Sequence, residues 1–142
     1  MFFGEFEYKL DEKGRLPIPP KFRGLLKAGV VLSPGVEGCI TVYPLAEWKK
    51  LADTLTKSSL SPSKLRTLKR AVFATAFSLG LDGQGRIALP APLKQHAEII
   101  SEVVIIGANN YFELWNKVRW GEEKAIGQEQ AWLLLEGLEN RQ

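Results

Sequence analysis

The 142-residue chain sets 19 Lys and Arg against 16 Asp and Glu, a formal net charge of +3, with 45% hydrophobic and 25% charged residues. That is the make-up of an ordinary soluble globular protein, long enough for one domain or two intimately packed halves. No stretch is apolar for long enough to cross a bilayer, and the opening residues lack the basic start and apolar core of a signal peptide. A single cysteine, Cys39, excludes an internal disulfide framework and points to a reducing cytoplasm.

Phe3 to Leu10 alternates Phe6, Tyr8 and Leu10 with Glu5, Glu7 and Lys9, the period of two of a strand. It runs into Leu10-Asp11-Glu12-Lys13-Gly14-Arg15-Leu16-Pro17-Ile18-Pro19, which has a near-copy 71 residues later, Leu81-Asp82-Gly83-Gln84-Gly85-Arg86-Ile87-Ala88-Leu89-Pro90. Each segment reads as a tight loop. The aspartate accepts from backbone N–H groups just downstream, the glycine supplies a positive φ, and the arginine leaves the turn within reach of the aspartate. Asp11, Asp82 and Gly85 are therefore loop-shaping residues. The prolines that follow suit a strand that lies at an edge or ends early.

Short helices follow at Pro20–Leu26 and Pro92–Ala97, with Phe22, Leu25 and Leu26, and Leu93 and Ala97, facing inward. Next come two hairpins, Val30–Leu32 with Cys39–Tyr43 and Val103–Ile106 with Tyr111–Trp115, turning through Pro, Gly and Asn. Each hairpin runs into a helix with tryptophan in its first turns, Trp48 and Trp120. The first of these helices continues to Thr56. Between the copies, Ser61 caps a helix led by Pro62 with an apolar stripe of Leu65, Leu68, Val72 and Phe73. A strand is expected from Ala74 to Leu81, the counterpart of Phe3 to Leu10. The tail, Ala125 to Leu138, reads as an apolar, acidic helix that either packs on its own domain or reaches a neighbouring subunit.

Charge is unevenly placed. Lys9, Lys13, Arg15, Lys21, Arg23 and Lys27 crowd the first loop, and residues 61–80 hold Lys64, Arg66, Lys69 and Arg70 with no acid. Residues 121–142 hold five glutamates against Lys124 and Arg141. Clustered cations attract a polyanion even at a small total charge. Catalysis is poorly provisioned: the one histidine, His96, lies in a weak helix, Cys39 lies in an expected strand, and no metal-ligand set or phosphate-loop, hydrolase or zincin motif occurs. The expectation is a protein that is not an enzyme and has no cofactor, metal or small-molecule substrate. Spacing alone leaves two readings of Arg15 and Arg86. They brace their turns against Asp11 and Asp82, or they engage phosphate and guanine edges.

The opening Met1-Phe2-Phe3-Gly4-Glu5-Phe6-Glu7-Tyr8, the two Asp-x-x-Gly-Arg loops, Tyr43-Pro44-Leu45-Ala46-Glu47-Trp48, and Phe112-Glu113-Leu114-Trp115 with Trp120 together resemble the MraZ family of bacterial transcriptional regulators of the division and cell-wall gene cluster. The likeness covers about residues 1–120. It implies an α+β fold of two tandem AbrB-type swapped-hairpin β units, interlocked into a pseudo-two-fold, barrel-like core with outer helices. Residues 1–60 would form the first half, 61–73 a connecting basic helix, 74–120 the second half and 121–142 a C-terminal helix, all in one compact domain. It further implies a homo-oligomeric ring, cytoplasmic and nucleoid-associated, that binds double-stranded DNA with guanine-rich direct repeats. Lys13, Gly14, Arg15, Gln84 and Arg86 carry over as DNA contacts; Lys21 and Arg23 are added from charge placement. Gly83 and Gln84 replace Glu12 and Lys13 in the second loop, so its part would be base or shape readout more than pull on phosphate. A ring-forming protein-interaction module that does not bind DNA is the alternative.

Overall fold

The computed structural model describes residues 1–140; Arg141 and Gln142, the end of the expected C-terminal segment, lie outside the described residues. In chain order the elements are β1 (Glu5–Lys9), β2 (Arg15–Pro17), α1 (Pro20–Arg23) with a 3-10 turn at Gly24–Leu26, β3 (Val30–Pro34), β4 (Ile40–Pro44), α2 (Leu45–Thr56), α3 (Pro62–Phe73), β5 (Phe77–Leu79), β6 (Arg86–Ala88), α4 (Ala91–Ala97), β7 (Glu102–Gly107), β8 (Phe112–Asn116) and α5 (Lys117–Glu139).

The strands form a six-stranded antiparallel sheet, β1-β7-β8-β4-β3-β5, and a separate two-stranded ribbon, β2-β6. Exchanging the two halves of the chain turns the sheet order into its own reverse, so the repeat in sequence is a pseudo-two-fold in space. The halves exchange strands. β1 pairs with β7 (Glu5 with Ile106 through Lys9 with Glu102), and β5 pairs with β3 (Leu79 with Val30 through Phe77 with Leu32). The two hairpins join at the centre through β4 and β8. The expected barrel-like closure is not found. β1 and β5 remain edges, each paired on one side only and not with each other.

Alternation sorts the sheet into two faces. Val30, Leu32, Ile40, Val42, Val103, Ile105, Phe112 and Leu114 point to one side, where Leu16, Ile18, Ile87 and Leu89 from the ribbon strands and the residues just after them, Phe22 and Leu26, and Leu93 and Ala97 complete one core. Leu25, expected to face inward, is exposed, since the α-helix gives way to a 3-10 turn and the apolar face passes to Leu26. On the other face, Trp115 and Val104 pack with Cys39 and Trp120, and Ser33 and Thr41 share a 2.7 Å hydroxyl hydrogen bond. The ribbon is thus a cover on the sheet, and its outer surface is open to solvent.

Several elements start or end one or two residues from the expected positions, and two boundaries differ by more. β5 starts at Phe77, three residues after the expected strand start at Ala74, because α3 holds that stretch: the Ala74 N–H donates to Arg70 O (3.2 Å) and Thr75 Oγ1 donates to Ala71 O (2.6 Å). The C-terminal helix starts at Lys117, well before Ala125, and runs unbroken through Gly121 and Gly127. The Asn116 side chain caps it by accepting from the N–H groups of Val118 (2.9 Å) and Arg119 (3.1 Å). The Ser61 cap holds as expected, accepting from Lys64 N–H at 3.4 Å.

The centre of the core is aromatic. Phe22 lies 4.9 Å from Phe2, 5.5 Å from Phe6 and 5.3 Å from Phe112, centroid to centroid, and it is fully buried. Phe22→Ala should lower the free energy of unfolding by about 3–5 kcal/mol, measured by urea denaturation followed by tryptophan fluorescence.

Candidate nucleic-acid interface

The two loops are built alike, bond for bond. In the first, Asp11 Oδ1 accepts from the N–H groups of Lys13 (2.9 Å) and Arg15 (2.9 Å), while Asp11 Oδ2 accepts from Arg15 Nε (2.6 Å). In the second, Asp82 Oδ1 accepts from Gln84 (2.9 Å) and Arg86 (3.0 Å), and Asp82 Oδ2 accepts from Arg86 Nε (2.9 Å). The turns close through Gly14 N–H to Asp11 O and Gly85 N–H to Asp82 O, both 3.0 Å, and both glycines sit at positive φ (74° and 73°). Aspartate at the first position and glycine at the fourth are thus each required by a specific bond or dihedral.

The ribbon brings the loops into one surface. Register pairs Arg15 with Ala88, Leu16 with Ile87 and Pro17 with Arg86. Leu16 and Ile87 are buried beneath, so Arg15, Pro17, Arg86 and Ala88 share the outer face, with the two arginines diagonal to each other and on the order of 7–8 Å apart at the backbone. The diagonal is bridged: Arg86 Nη1 also reaches Asp11 Oδ2 at 3.4 Å, so one carboxylate serves both guanidinium groups. Among the hydrogen bonds of the described residues, none is made by Arg15 Nη1 or Nη2. Arg15 keeps 32% of its side chain accessible and Arg86 19%.

Each loop is also roofed by a cation from the opposite half. The chain leaving β2 runs antiparallel to β6 and so arrives over the second loop. There Ile18 N–H donates to Gly85 O (3.0 Å), and Arg23, whose Nε donates to Ile18 O (2.9 Å), packs on Gly85 so closely that a Cβ there would collide with its guanidinium. Symmetrically, Leu89 N–H donates to Gly14 O (3.0 Å), and Lys94 Nζ stands 3.2 Å from where a Cβ on Gly14 would be. Arg23 and Lys94 are 71 residues apart, the offset of the repeat.

Against the expected site, the structure gathers Lys13, Gly14, Arg15, Gln84, Gly85 and Arg86 at one ribbon, with Lys13 and Gln84 exposed at the loop tips. Arg23 belongs beside the second loop, not the first as its sequence position implied. Lys21 is placed differently: its ammonium lies over the rings of Phe6 (4.7 Å) and Phe3 (5.4 Å). Lys94 joins the first loop although its helix follows the second in the chain. Its 71-residue spacing from Arg23 was the available signal.

The electrostatics follow from these bonds. The backbone N–H of Arg15 and that of Arg86 hold the carboxyls of Asp11 and Asp82 below the usual aspartate range, helped by the other turn donors and the guanidinium groups. The arrangement is a row of cations, Arg15, Arg86 and Arg23 held by hydrogen bonds and Lys94 near the first loop's glycine, suited to phosphate or to a planar acceptor pair. Elsewhere, His96 Nε2 hydrogen-bonds the Gly35 carbonyl (3.0 Å), and burial, with Glu113 close by, pushes the Cys39 thiol well up. No cluster among the described residues has three or more groups able to hold a metal ion, and no described helix is long and apolar enough to cross a membrane.

These features define an internally duplicated α+β protein whose halves exchange strands and share one cationic ribbon. A family model described as "MraZ protein, putative antitoxin-like" matches the chain twice, over residues 1–71 and 72–130. The chain belongs to the MraZ family. It is 58% identical over 140 residues to a protein of Dehalococcoides mccartyi named "Transcriptional regulator MraZ", covering 98% of this chain and 99% of the relative. Proteins of the same name from Pediococcus pentosaceus (45% identity, 86% of this chain and 85% of theirs) and Herpetosiphon aurantiacus (43%, 84% of each) are also similar.

Two measurements probe the loops. Gly85→Ala should destabilise the fold by about 1–2 kcal/mol from backbone strain alone, with a further loss from displacing Arg23, so its melting temperature should fall more than that of Gly14→Ala, where the flexible end of Lys94 moves aside. In a carbon-detected NMR titration, Asp11 and Asp82 should titrate below about 3.9, the value of an unstructured aspartate. Because folding lowers these pKa values, their stabilisation is complete above that pH and is lost as pH falls through the folded values.

Proposed function

We propose that this protein is a transcriptional regulator that binds double-stranded DNA through the β2–β6 ribbon, with guanine-rich direct repeats read by loops repeated around a homo-oligomeric ring. Its place is the cytoplasm, in association with the nucleoid, and its target is the division and cell-wall gene cluster. The observation that carries the reading is the ribbon's outer face, where two Asx-turn loops hold Arg15 and Arg86 side by side with Lys94 and Arg23 at the ends. The relatives' common name, "Transcriptional regulator MraZ", supports the transcriptional part. The strand exchange between β1 and β7 and between β5 and β3 is the feature we read as two AbrB-type swapped-hairpin units.

The chemistry is apportioned along the row. Arg15, with its Nη groups uncommitted and its Nε held by Asp11, is oriented for bidentate donation to guanine O6 and N7. Arg86, shared between Asp82 and Asp11, is more restrained and fits a supporting contact. Lys13, Lys94, Arg23 and the Gly14 backbone suit phosphate, and Gln84 at the tip of the second loop suits a base edge or a phosphate oxygen. Lys21, over its phenylalanines, is the weakest of the expected contacts. Each subunit offers few contacts, so affinity comes from several loops held at fixed spacing.

Fluorescence anisotropy with a duplex carrying guanine-rich tandem repeats tests this. Arg15→Ala should weaken binding by about 1–3 kcal/mol per engaged loop, and parent affinity should fall steeply with added salt through counterion release. Undiminished affinity in Arg15→Ala removes that residue from the mechanism. An absence of duplex binding together with salt-insensitive protein capture favours the interaction-module reading.

A further inference from the structure

Helix α5 has two unlike halves. Its first turns are fastened to the body: Trp120 lies 5.5 Å from Trp115, and Lys124 Nζ and Trp120 Nε1 donate to the Glu5 carboxylate at 2.8 and 2.9 Å. From Gln128 to Asn140 every residue is exposed. This stretch, about 20 Å of helix, carries Trp132 (69% exposed), Leu133 (70%), Leu134 (70%), Leu135 (45%) and Leu138 (60%), interspersed with Glu129, Glu136 and Glu139. An apolar surface of that extent on one helix is an interaction surface or an aggregation liability.

The opposite half of the sheet offers its complement. Helices α2 and α3 bury no residue fully, and Leu65, Leu68 and Val72 are only half-covered. Beside them a groove of about 390 Å³ is lined by Tyr43, Trp48, Leu51, Val72 and Tyr111 together with the carboxylates Glu37 and Glu113. The exposed side of α3 carries Lys64, Arg66, Lys69 and Arg70 and no acid. An acidic apolar helix and a basic, incompletely covered helix pair thus sit on one chain over opposite halves of the sheet, α5 on β7 and β8 and α2 on β3 and β4.

We propose that the exposed half of α5 docks in trans on the α2–α3 face of a second copy of this chain, with Trp132 seated in the aromatic groove and Glu129, Glu136 and Glu139 facing the α3 cations. The proposal rests on the ring reading above and supplies its interface. Three features select this occupant. The charges are complementary between the two patches and like-signed if α5 pairs with α5. A tryptophan beside a groove of aromatic and aliphatic side chains is the usual form of an interface anchor, and Glu37 offers an acceptor for its indole N–H. The two patches are also different surfaces, so each copy uses one as donor and the other as acceptor. Such head-to-tail contacts propagate until the rotation closes a ring.

Light scattering coupled to gel filtration tests the proposal on the full chain. The parent should be a multimer, and a donor-face variant, Trp132→Asp with Leu135→Asp, should fall to lower mass while retaining the parent's circular dichroism spectrum, since both side chains are exposed on the single chain. An acceptor-face variant, Arg66→Glu with Lys69→Glu and Arg70→Glu, should fall likewise. Mixing the two variants is the decisive measurement: one intact face remains on each, so a one-to-one dimer should form and grow no further. A mixture with no dimer, or variants that keep the parent mass, overturns the proposal and leaves the ring to another interface. A monomeric parent overturns the ring reading itself.

Discussion

The interaction on which the rest of the structure depends is the exchange of main-chain bonds between each loop and the opposite half of the chain. Gly14 O accepts from Leu89, and Gly85 O accepts from Ile18, at 3.0 Å each. These bonds extend the three-residue pairing of β2 with β6, which would be a weak ribbon by itself. They also settle where each arginine stands, because an antiparallel register places Arg15 and Arg86 on one face and their neighbours Leu16 and Ile87 in the core. The ribbon therefore joins burial and display in one element. Its inner residues anchor it on the sheet, and that anchoring holds the outer residues in position.

Positional restraint matters most at the guanidinium groups. An arginine on a flexible loop loses side-chain freedom whenever it engages a ligand, at a cost of up to about 2 kcal/mol. Here that freedom is already reduced in the unliganded protein by Asp11 and Asp82, each of which uses one oxygen for the turn and the other for its arginine. The bracing role and the binding role of these arginines, which look like rivals in the sequence, are compatible in the structure: Nε braces in both, and both Nη groups of Arg15 and Nη2 of Arg86 make none of the hydrogen bonds of the described residues. The Arg86–Asp11 bridge makes the two loops unequal. Arg86 answers to two carboxylates, and Arg15 to one.

The sequence was most legible where the structure is decided locally. The Asp-to-glycine turns, the Ser61 cap and the alternation of β1 each depend on residues within four positions of one another, and all three stand where the sequence placed them. The duplication itself was legible through Leu, Asp, Gly, Arg and Pro recurring at one offset. What escaped was whatever needs register between the halves. Nothing near Lys94 in the chain shows that its helix arrives over Gly14. Nor does anything near Arg23 show that it lies against Gly85 of the second loop. The open sheet escaped too, since alternation along a strand says which face is buried and nothing about whether the edges meet. The unbroken α5 shows propensity overruled: Gly121 and Gly127 each weaken a helix by about 1 kcal/mol relative to alanine, a penalty that the Asn116 cap and the packing of Trp120 offset.

Lys94 and Arg23 change how the two loops compare. By loop residues alone, the first is the stronger, with Lys13 where the second has Gln84. The crossover adds one cation to each loop, Arg23 at the second and Lys94 at the first, so both loops carry cations from both halves of the chain. Arg86 bonds Asp11 of the opposite half, Arg23 and Lys94 lie against the opposite half's loop glycine, and the β2–β6 pairing sets Arg15 beside them, so the row exists only in the folded duplicate. A single half, even with its turn intact, would present one arginine and an unroofed glycine. Duplication is therefore what converts an ordinary Asx turn into an extended cationic surface, and the strand exchange that interlocks the halves is the reason that surface has a fixed spacing.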